Sequence, residues 1–169
     1  MPAPASDGKP PEAPGFVSVP MGHWAVATPP TQIRTLLGSC AGVVLHERQA
    51  RVGGVAHIVL PDSRGSTDQP GKYADTAIPA LIEDLERLAG RRLRPRLTAK
   101  LFGGASMFQA SGPLEIGRMN QAAVEKILAG LGIPILARDM GGDAGRRLTF
   151  DVSTGIVTVR IPGGADYDV

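Results

Sequence analysis

A single cysteine and a histidine 17 positions after it (57 − 40) are the side chains here best suited to covalent chemistry. Cys40 lies in Thr35-Leu-Leu-Gly-Ser-Cys-Ala-Gly-Val-Val-Leu45, and His57 in Val52-Gly-Gly-Val-Ala-His-Ile-Val-Leu-Pro61. With no second cysteine, Cys40 has no partner for an internal disulfide. A thiol beside an imidazole suffices for nucleophilic acyl chemistry, because the imidazole takes the thiol proton and the sulfur attacks a carbonyl carbon. Gly38 and Ser39 make a turn just before the cysteine. Such a turn lets backbone approach a substrate and offers N–H groups to an oxyanion. A cysteine activated in this way is expected to alkylate well below the pH at which a free thiol does. The competing role for Cys40 is a packed thiol, since free cysteine is among the most buried residue types.

His57 also has other uses, as a satisfied core histidine or a metal ligand. His23, His46, His57 and the one cysteine contain no pair at ligand spacing, so no metal site is expected. Gly53 and Gly54 thin the strand before His57, which suits a cleft that a second backbone approaches. His46 reads as an exposed strand-end residue and His23 as a loop residue. Gly103-Gly104-Ala105-Ser106 lacks the Lys-Ser/Thr ending of a phosphate loop and the glycine spacing of a dinucleotide site, so it reads as a tight turn. The glycines of 141–145 carry no phosphate signature either. Ser39, Ser63 and Ser66 do not stand in Gly-x-Ser-x-Gly. No cofactor is expected.

The elements that must position these groups follow from periodicity. Short apolar runs bounded by Gly, Pro or Asp predict strands over 24–28, 33–37, 41–47 and 53–60. Residues 61–71 form a long polar loop with late Gly and Pro breakers, of a length often tied to function. Ala74, Ala77, Ile78, Leu81, Ile82, Leu85 and Leu88 share one face of a predicted helix. Asp75 is its expected cap and Gly90 its stop, and Pro79 requires the helix to begin close before it. Further strands are predicted over 96–101, 133–139, 148–152 and 156–161, with Ser153-Thr154-Gly155 as a hairpin turn. A second helix is predicted over 120–128, stopped by Gly130 or Gly132. Many strands with only two helices between them argue for an α+β fold, a layered β-sheet sandwich covered by two main helices, over a doubly wound arrangement.

Composition bounds the rest. At 169 residues one domain is expected over 16–169, long enough to bury a core without staples. Residues 1–15 hold five prolines and no apolar cluster, so they are expected to form a disordered tail. With 4% aromatic residues the core must be built from Val, Ile, Leu and Ala. No stretch is long and apolar enough for a membrane span, and no secretory signal is visible. With a single cysteine, this points to the cytoplasm. A net charge of +2 gives no case for nucleic acid. Arg87, Arg91, Arg92, Arg94, Arg96 and Lys100 cluster, but Glu83, Asp84 and Glu86 lie just upstream and no aromatics interleave, so they read as a solvated helix end and loop.

Five motifs in order carry a resemblance. They are Leu-Gly-Ser-Cys40 with its apolar tail, Gly-Gly-Val-Ala-His57-Ile-Val-Leu-Pro, Gly71-Lys-Tyr-Ala-Asp-Thr-Ala-Ile78, Ala99-Lys-Leu-Phe-Gly-Gly-Ala-Ser-Met107 and Asp139-Met-Gly-Gly142. Together they resemble the chemoreceptor glutamine deamidase family, CheD, from about Thr35 to Gly155. The resemblance implies a hydrolase that converts selected glutamines of methyl-accepting chemoreceptors to glutamate in chemotaxis adaptation. It implies a fold related to the catalytic domain of cytotoxic necrotizing factors. It implies Cys40 as nucleophile, His57 as base and, as the threonine shortly before the cysteine, Thr35 as the third member. The implied partners are the cytoplasmic helical region of the receptors and a CheC-type phosphatase. Binding that phosphatase without turnover, or hydrolysing receptor methyl esters, are the alternative activities. The chain departs from the family at Ile116-Gly-Arg-Met-Asn120, where members more often end in Arg-Asn; Asn120 is expected at a helix start.

Overall fold

The computed structural model describes residues 15–106 and 111–169. The expected tail therefore lies, Gly15 apart, outside the described residues, as does Met107 of the fourth motif. The strands are β1 (Phe16–Ser18), β2 (Trp24–Ala27), β3 (Gln32–Leu37), β4 (Ala41–Glu47), β5 (Val52–Ile58), β6 (Thr98–Gly103), β7 (Ile135–Met140), β8 (Arg146–Asp151), β9 (Val157–Arg160) and β10 (Tyr167–Asp168). The helices are α1 (Ala74–Ala89) and α2 (Ser111–Gly130). One sheet has the order β1-β3-β8-β9-β10 and the other β2-β5-β4-β6-β7. β1 runs parallel to β3, and β6 to β7; the other pairs are antiparallel.

The α+β reading holds, with a refinement: both helices lie on one face, so the layers run sheet, sheet, helices. The reason is visible in β4 and β5, every residue of which is buried except His46. Val43, Leu45, Ala56 and Ile58 pack with Ile78, Leu81 and Leu85 of α1 and Val124 and Leu128 of α2. Alternate residues Val44 and Val55 pack instead with Ile33, Leu37, Leu148 and Phe150 of the first sheet. A strand buried on both faces reads as a continuous apolar run, which is what these segments are. The first sheet has one dry face only, and β3 alternates buried and exposed from Ile33 to Leu37.

Several local expectations change. Gly53 and Gly54 do not open a cleft. A side chain at Gly53 would come within 2.6 Å of Phe150 Cε1, and one at Gly54 within 2.7 Å of Leu81 Cδ1 and 2.8 Å of the Ala25 carbonyl oxygen, so both make room for packing and Gly54 meets the close backbone approach expected. Asp75 does not cap α1; its carboxylate accepts from Ser63 N (2.9 Å) and Ser63 Oγ (2.7 Å), tying down the polar loop instead. Tyr73 takes the cap position, while Gly90 ends the helix in the left-handed conformation as expected. Pro79 is the sixth residue of α1, early enough to be accommodated. Helix α2 is longer than predicted by nine residues at its start (120 − 111), so Asn120 sits in its middle. Gly112, Pro113 and Gly117, all poor helix formers, hide the start of this helix in the sequence.

Candidate active site

Strand alternation aims Thr35 and His57 at each other. Thr35 lies between Ile33 and Leu37 on the dry face of β3 and is 5% exposed. His57 is set on the opposite face of β5 from Ala56 and Ile58, both of which point to the helices, so it points to the first sheet. The two meet across the sandwich, with Thr35 Oγ1 2.8 Å from His57 Nδ1. The same hydroxyl lies 2.9 Å from the Val19 carbonyl, which can only accept. A hydroxyl has one proton, so both contacts are satisfied when Thr35 donates to Val19 and His57 Nδ1–H donates to Thr35. That tautomer leaves Nε2 with a free lone pair. Nε2 is buried and has no hydrogen-bond partner among the described residues.

Cys40 joins the same layer. His57 pairs with Gly42 in the β4–β5 ladder, and Cys40 stands two positions before Gly42. Cys40 itself lies in the bend just before β4, and its place in the inter-sheet cluster puts it on the side to which His57 points. Cys40 is 8% exposed and packs in the inter-sheet cluster with Leu37, Val44 and Phe102.

The turn that carries it is braced by the segment expected to be a plain turn. Gly104 N donates to Cys40 O (2.9 Å) and Ala105 N to Gly38 O (3.0 Å). In a trans peptide the N–H points opposite to the C=O, so the Ser39 N–H faces away from this brace. No backbone acceptor among the described residues takes the N–H of Ser39 or Cys40. Gly103 has φ 99°, and a side chain there would come within 2.1 Å of Cys40 O. Gly103→Ala is therefore expected to destabilise by about 2–4 kcal/mol through overlap and backbone strain. Denaturant unfolding of the variant checks this, and wild-type stability would show that the brace is slack.

Electrostatics revise the resting state. Burial pushes the Cys40 thiol up from its ordinary value. Burial pushes His57 down, with the Val19 carbonyl working the other way. Both directions favour the neutral forms, and Cys40 Sγ makes no hydrogen bond to His57 Nε2. Burial is the leading cause in each case, and it runs against the thiolate–imidazolium pair expected from the sequence.

His46 is also not the exposed strand-end residue expected. Its Nε2 is 3.0 Å from the Val152 carbonyl, its ring stands edge-on to Phe150, and burial lowers its pKa. His46 and His57 thus both take up protons more readily in the unfolded chain. Their sign is clear: stability is full above the ordinary imidazole value of 6.5 and is lost as pH falls below it. Melting temperature should fall on acidification through that range, and His46→Gln, which keeps a donor to Val152, should fall less. Parallel melting curves for both proteins across that range would show that His46 makes no contribution.

The remaining singled-out residues fall outside this cluster. His23 lies in a loop with Nδ1 3.0 Å from Met21 O. Arg87 pairs with Glu83 and Asp84 on the exposed side of α1, and Lys100 donates to the Gly155 and Val169 carbonyls. Sequence reasoning missed Val19, whose contribution is a main-chain carbonyl and leaves no trace in residue type. It also missed Arg146, which is 3% exposed and donates to Asp139 Oδ1 (2.6 Å) and to the Gly141 carbonyl. The glycines of 141–142 wrap that guanidinium, and Gly142 O accepts from Ser106 N at 2.8 Å. Among the described residues no group of three or more His, Cys, Asp and Glu is placed to hold a metal ion. No helix among them is long and apolar enough to cross a membrane.

Fold and site define a sheet–sheet–helix protein with a threonine-oriented histidine and a cysteine on one buried face. A family model described as CheD, chemotactic sensory transduction, matches residues 59–161. The chain is 46% identical over 147 residues to the chemoreceptor glutamine deamidase CheD of Thermotoga maritima, covering 86% of this chain and 92% of that one. It is 44% identical over 146 residues to a probable chemoreceptor glutamine deamidase CheD of Methanococcus maripaludis, covering 85% and 94%. The chain belongs to the CheD family. A crystal structure of a Neisseria meningitidis protein of the DUF152 family aligns with a TM-score of 0.46 and 11% identity, over 72% of this chain and 54% of that one.

Proposed function

We propose that this protein hydrolyses glutamine side chains of chemoreceptors to glutamate, with Cys40 as nucleophile, His57 as general base and Thr35 orienting the imidazole. The observation that carries the reading is the Thr35–His57 contact, which leaves a lone pair on Nε2 in the layer that holds the only thiol. Nε2 takes the Cys40 proton as the sulfur bonds to the carboxamide carbon. The tetrahedral oxygen takes the negative charge and is met by the N–H groups of Ser39 and Cys40, with Gly38 allowing the turn. The imidazolium returns its proton to the leaving nitrogen, and ammonia departs from a thioester. Nε2 then takes a proton from water, hydroxide adds to the thioester, and the thiol leaves with the proton restored.

Neither metal nor organic cofactor enters these steps. The likeness to named deamidases supports receptors as substrates, and with them a cytoplasmic place of action and a role in adaptation. A cysteine–histidine pair on a layered sheet frame also supports kinship with necrotizing-factor catalytic domains. Incubating the protein with a receptor cytoplasmic fragment and mapping glutamine-to-glutamate conversion by mass spectrometry tests the reading. The same digest scores loss of glutamyl methyl esters, and adding a CheC-type phosphatase scores partner binding. No conversion of any glutamine would overturn the proposal.

A further inference from the structure

One turn of α2 touches both arms of the cysteine–histidine pair. Gly117 and Asn120, three apart, lie on the same helix face, and both are buried. Gly117 is pressed against the brace of the cysteine turn: a side chain there would come within 2.8 Å of Gly104 O and 3.1 Å of Gly104 C. Gly104 N in turn donates to Cys40 O at 2.9 Å. Asn120 reaches the other arm. Its Nδ2 donates 2.9 Å to the carbonyl of Val59, two residues beyond His57 on the same chain. That end of β5 is also held from the opposite side, because Val59 N donates to Lys72 O at 2.9 Å.

Asn120 is an unfavourable choice for packing alone. It is 0% exposed, and its Oδ1 is buried with no partner among the described residues. An unsatisfied buried amide oxygen destabilises, and asparagine is a weaker helix former than leucine or methionine. An apolar residue of similar size would fill the site with neither penalty. What it would not do is hold the Val59 carbonyl.

We infer that Gly117 and Asn120 form a positioning clamp that sets the spacing between the Cys40 turn and the His57 strand. This rests on the proposed roles of Cys40 and His57. Through α2, a displacement of either arm is felt by the other. An error of about 1 Å between nucleophile and base lowers a rate on the order of 100-fold, so the clamp acts on turnover more than on binding.

The test compares wild type, Asn120→Leu, Asn120→Asp and Gly117→Ala. Asn120→Leu removes the bond to Val59 and the orphaned oxygen together, so it is expected to fold. Asn120→Asp keeps the shape and loses the donor, and Gly117→Ala wedges the brace from the other side. Deamidation of a receptor fragment is expected to lose kcat by roughly 10- to 100-fold in each, with KM within about twofold. Cys40 alkylation against pH gives a readout free of receptor. It should move in each variant toward the profile of His57→Ala, because the base no longer reaches the thiol. A folded Asn120→Leu with wild-type kcat and a wild-type alkylation profile overturns the clamp. If it fails to fold, the same two measurements on whichever of the other variants folds decide the question in the same way; if none folds, the residues are core packing and the inference is overturned. Should wild type convert no glutamine while the alkylation profiles still shift as described, the proposed function falls and the clamp stands.

Discussion

Cys40→Ala is expected to leave the fold intact and to end glutamine hydrolysis. The side chain is small, buried among apolar neighbours and bonded to nothing among the described residues, so its truncation leaves no charge or donor stranded. The stability loss is that of a small vacancy, about 1 kcal/mol. The carbonyls of Gly38 and Cys40 keep their bonds to the 104–105 brace, so the turn persists. Catalysis has no comparable fallback, because the thioester path requires the sulfur, and the rate should fall by at least about 10⁴-fold. Cys40→Ser should be nearly as inactive, since a buried hydroxyl yields its proton to imidazole far less readily than a thiol. Quantifying converted glutamine in a receptor fragment decides the matter. Wild-type conversion by Cys40→Ala would return Cys40 to the part of a packing residue.

His57→Ala is expected to lose as much activity as Cys40→Ala, and the double variant no more than either, because the proposed nucleophile and base would act as one unit. The pH profile adds a signature. The proposed mechanism needs neutral His57, and burial pushes its pKa down from 6.5. Activity should therefore rise with pH through a midpoint below that value and be flat at neutrality. In the absence of substrate, Cys40 should alkylate slowly at neutral pH, because burial keeps it a thiol. His57→Ala should abolish the acid-side rise, leaving only alkylation that follows the thiol's own raised pKa. Thr35→Val should be milder: it strands Nδ1–H without its acceptor and loosens the tautomer, yet the proton acceptor remains. Rapid alkylation of the wild type at mildly acidic pH would show a resting ion pair instead. Identical profiles with and without His57 would mean that the two side chains do not meet.

The chain's own spacing determined which segments would be strands and helices, and which residue types could do chemistry. Apolar runs at strand length became β2 to β9, the three- and four-residue spacing from Ala74 became α1, and Gly90 ended it. Cys40 and His57 were legible because each is a rare reactive type placed at or in such a run. These are local properties, written in neighbouring residues. What tertiary structure decided depends on which faces meet. It turned Thr35 of one sheet onto His57 of the other and supplied the Val19 carbonyl that orients both. It made Gly103 and Gly104 a brace, Gly53 and Gly54 packing sites, and Asn120 an interior helix residue. It also set burial against the expected thiolate, because desolvation is set by everything that surrounds a group, and no stretch of sequence around Cys40 shows that the second sheet will close over it.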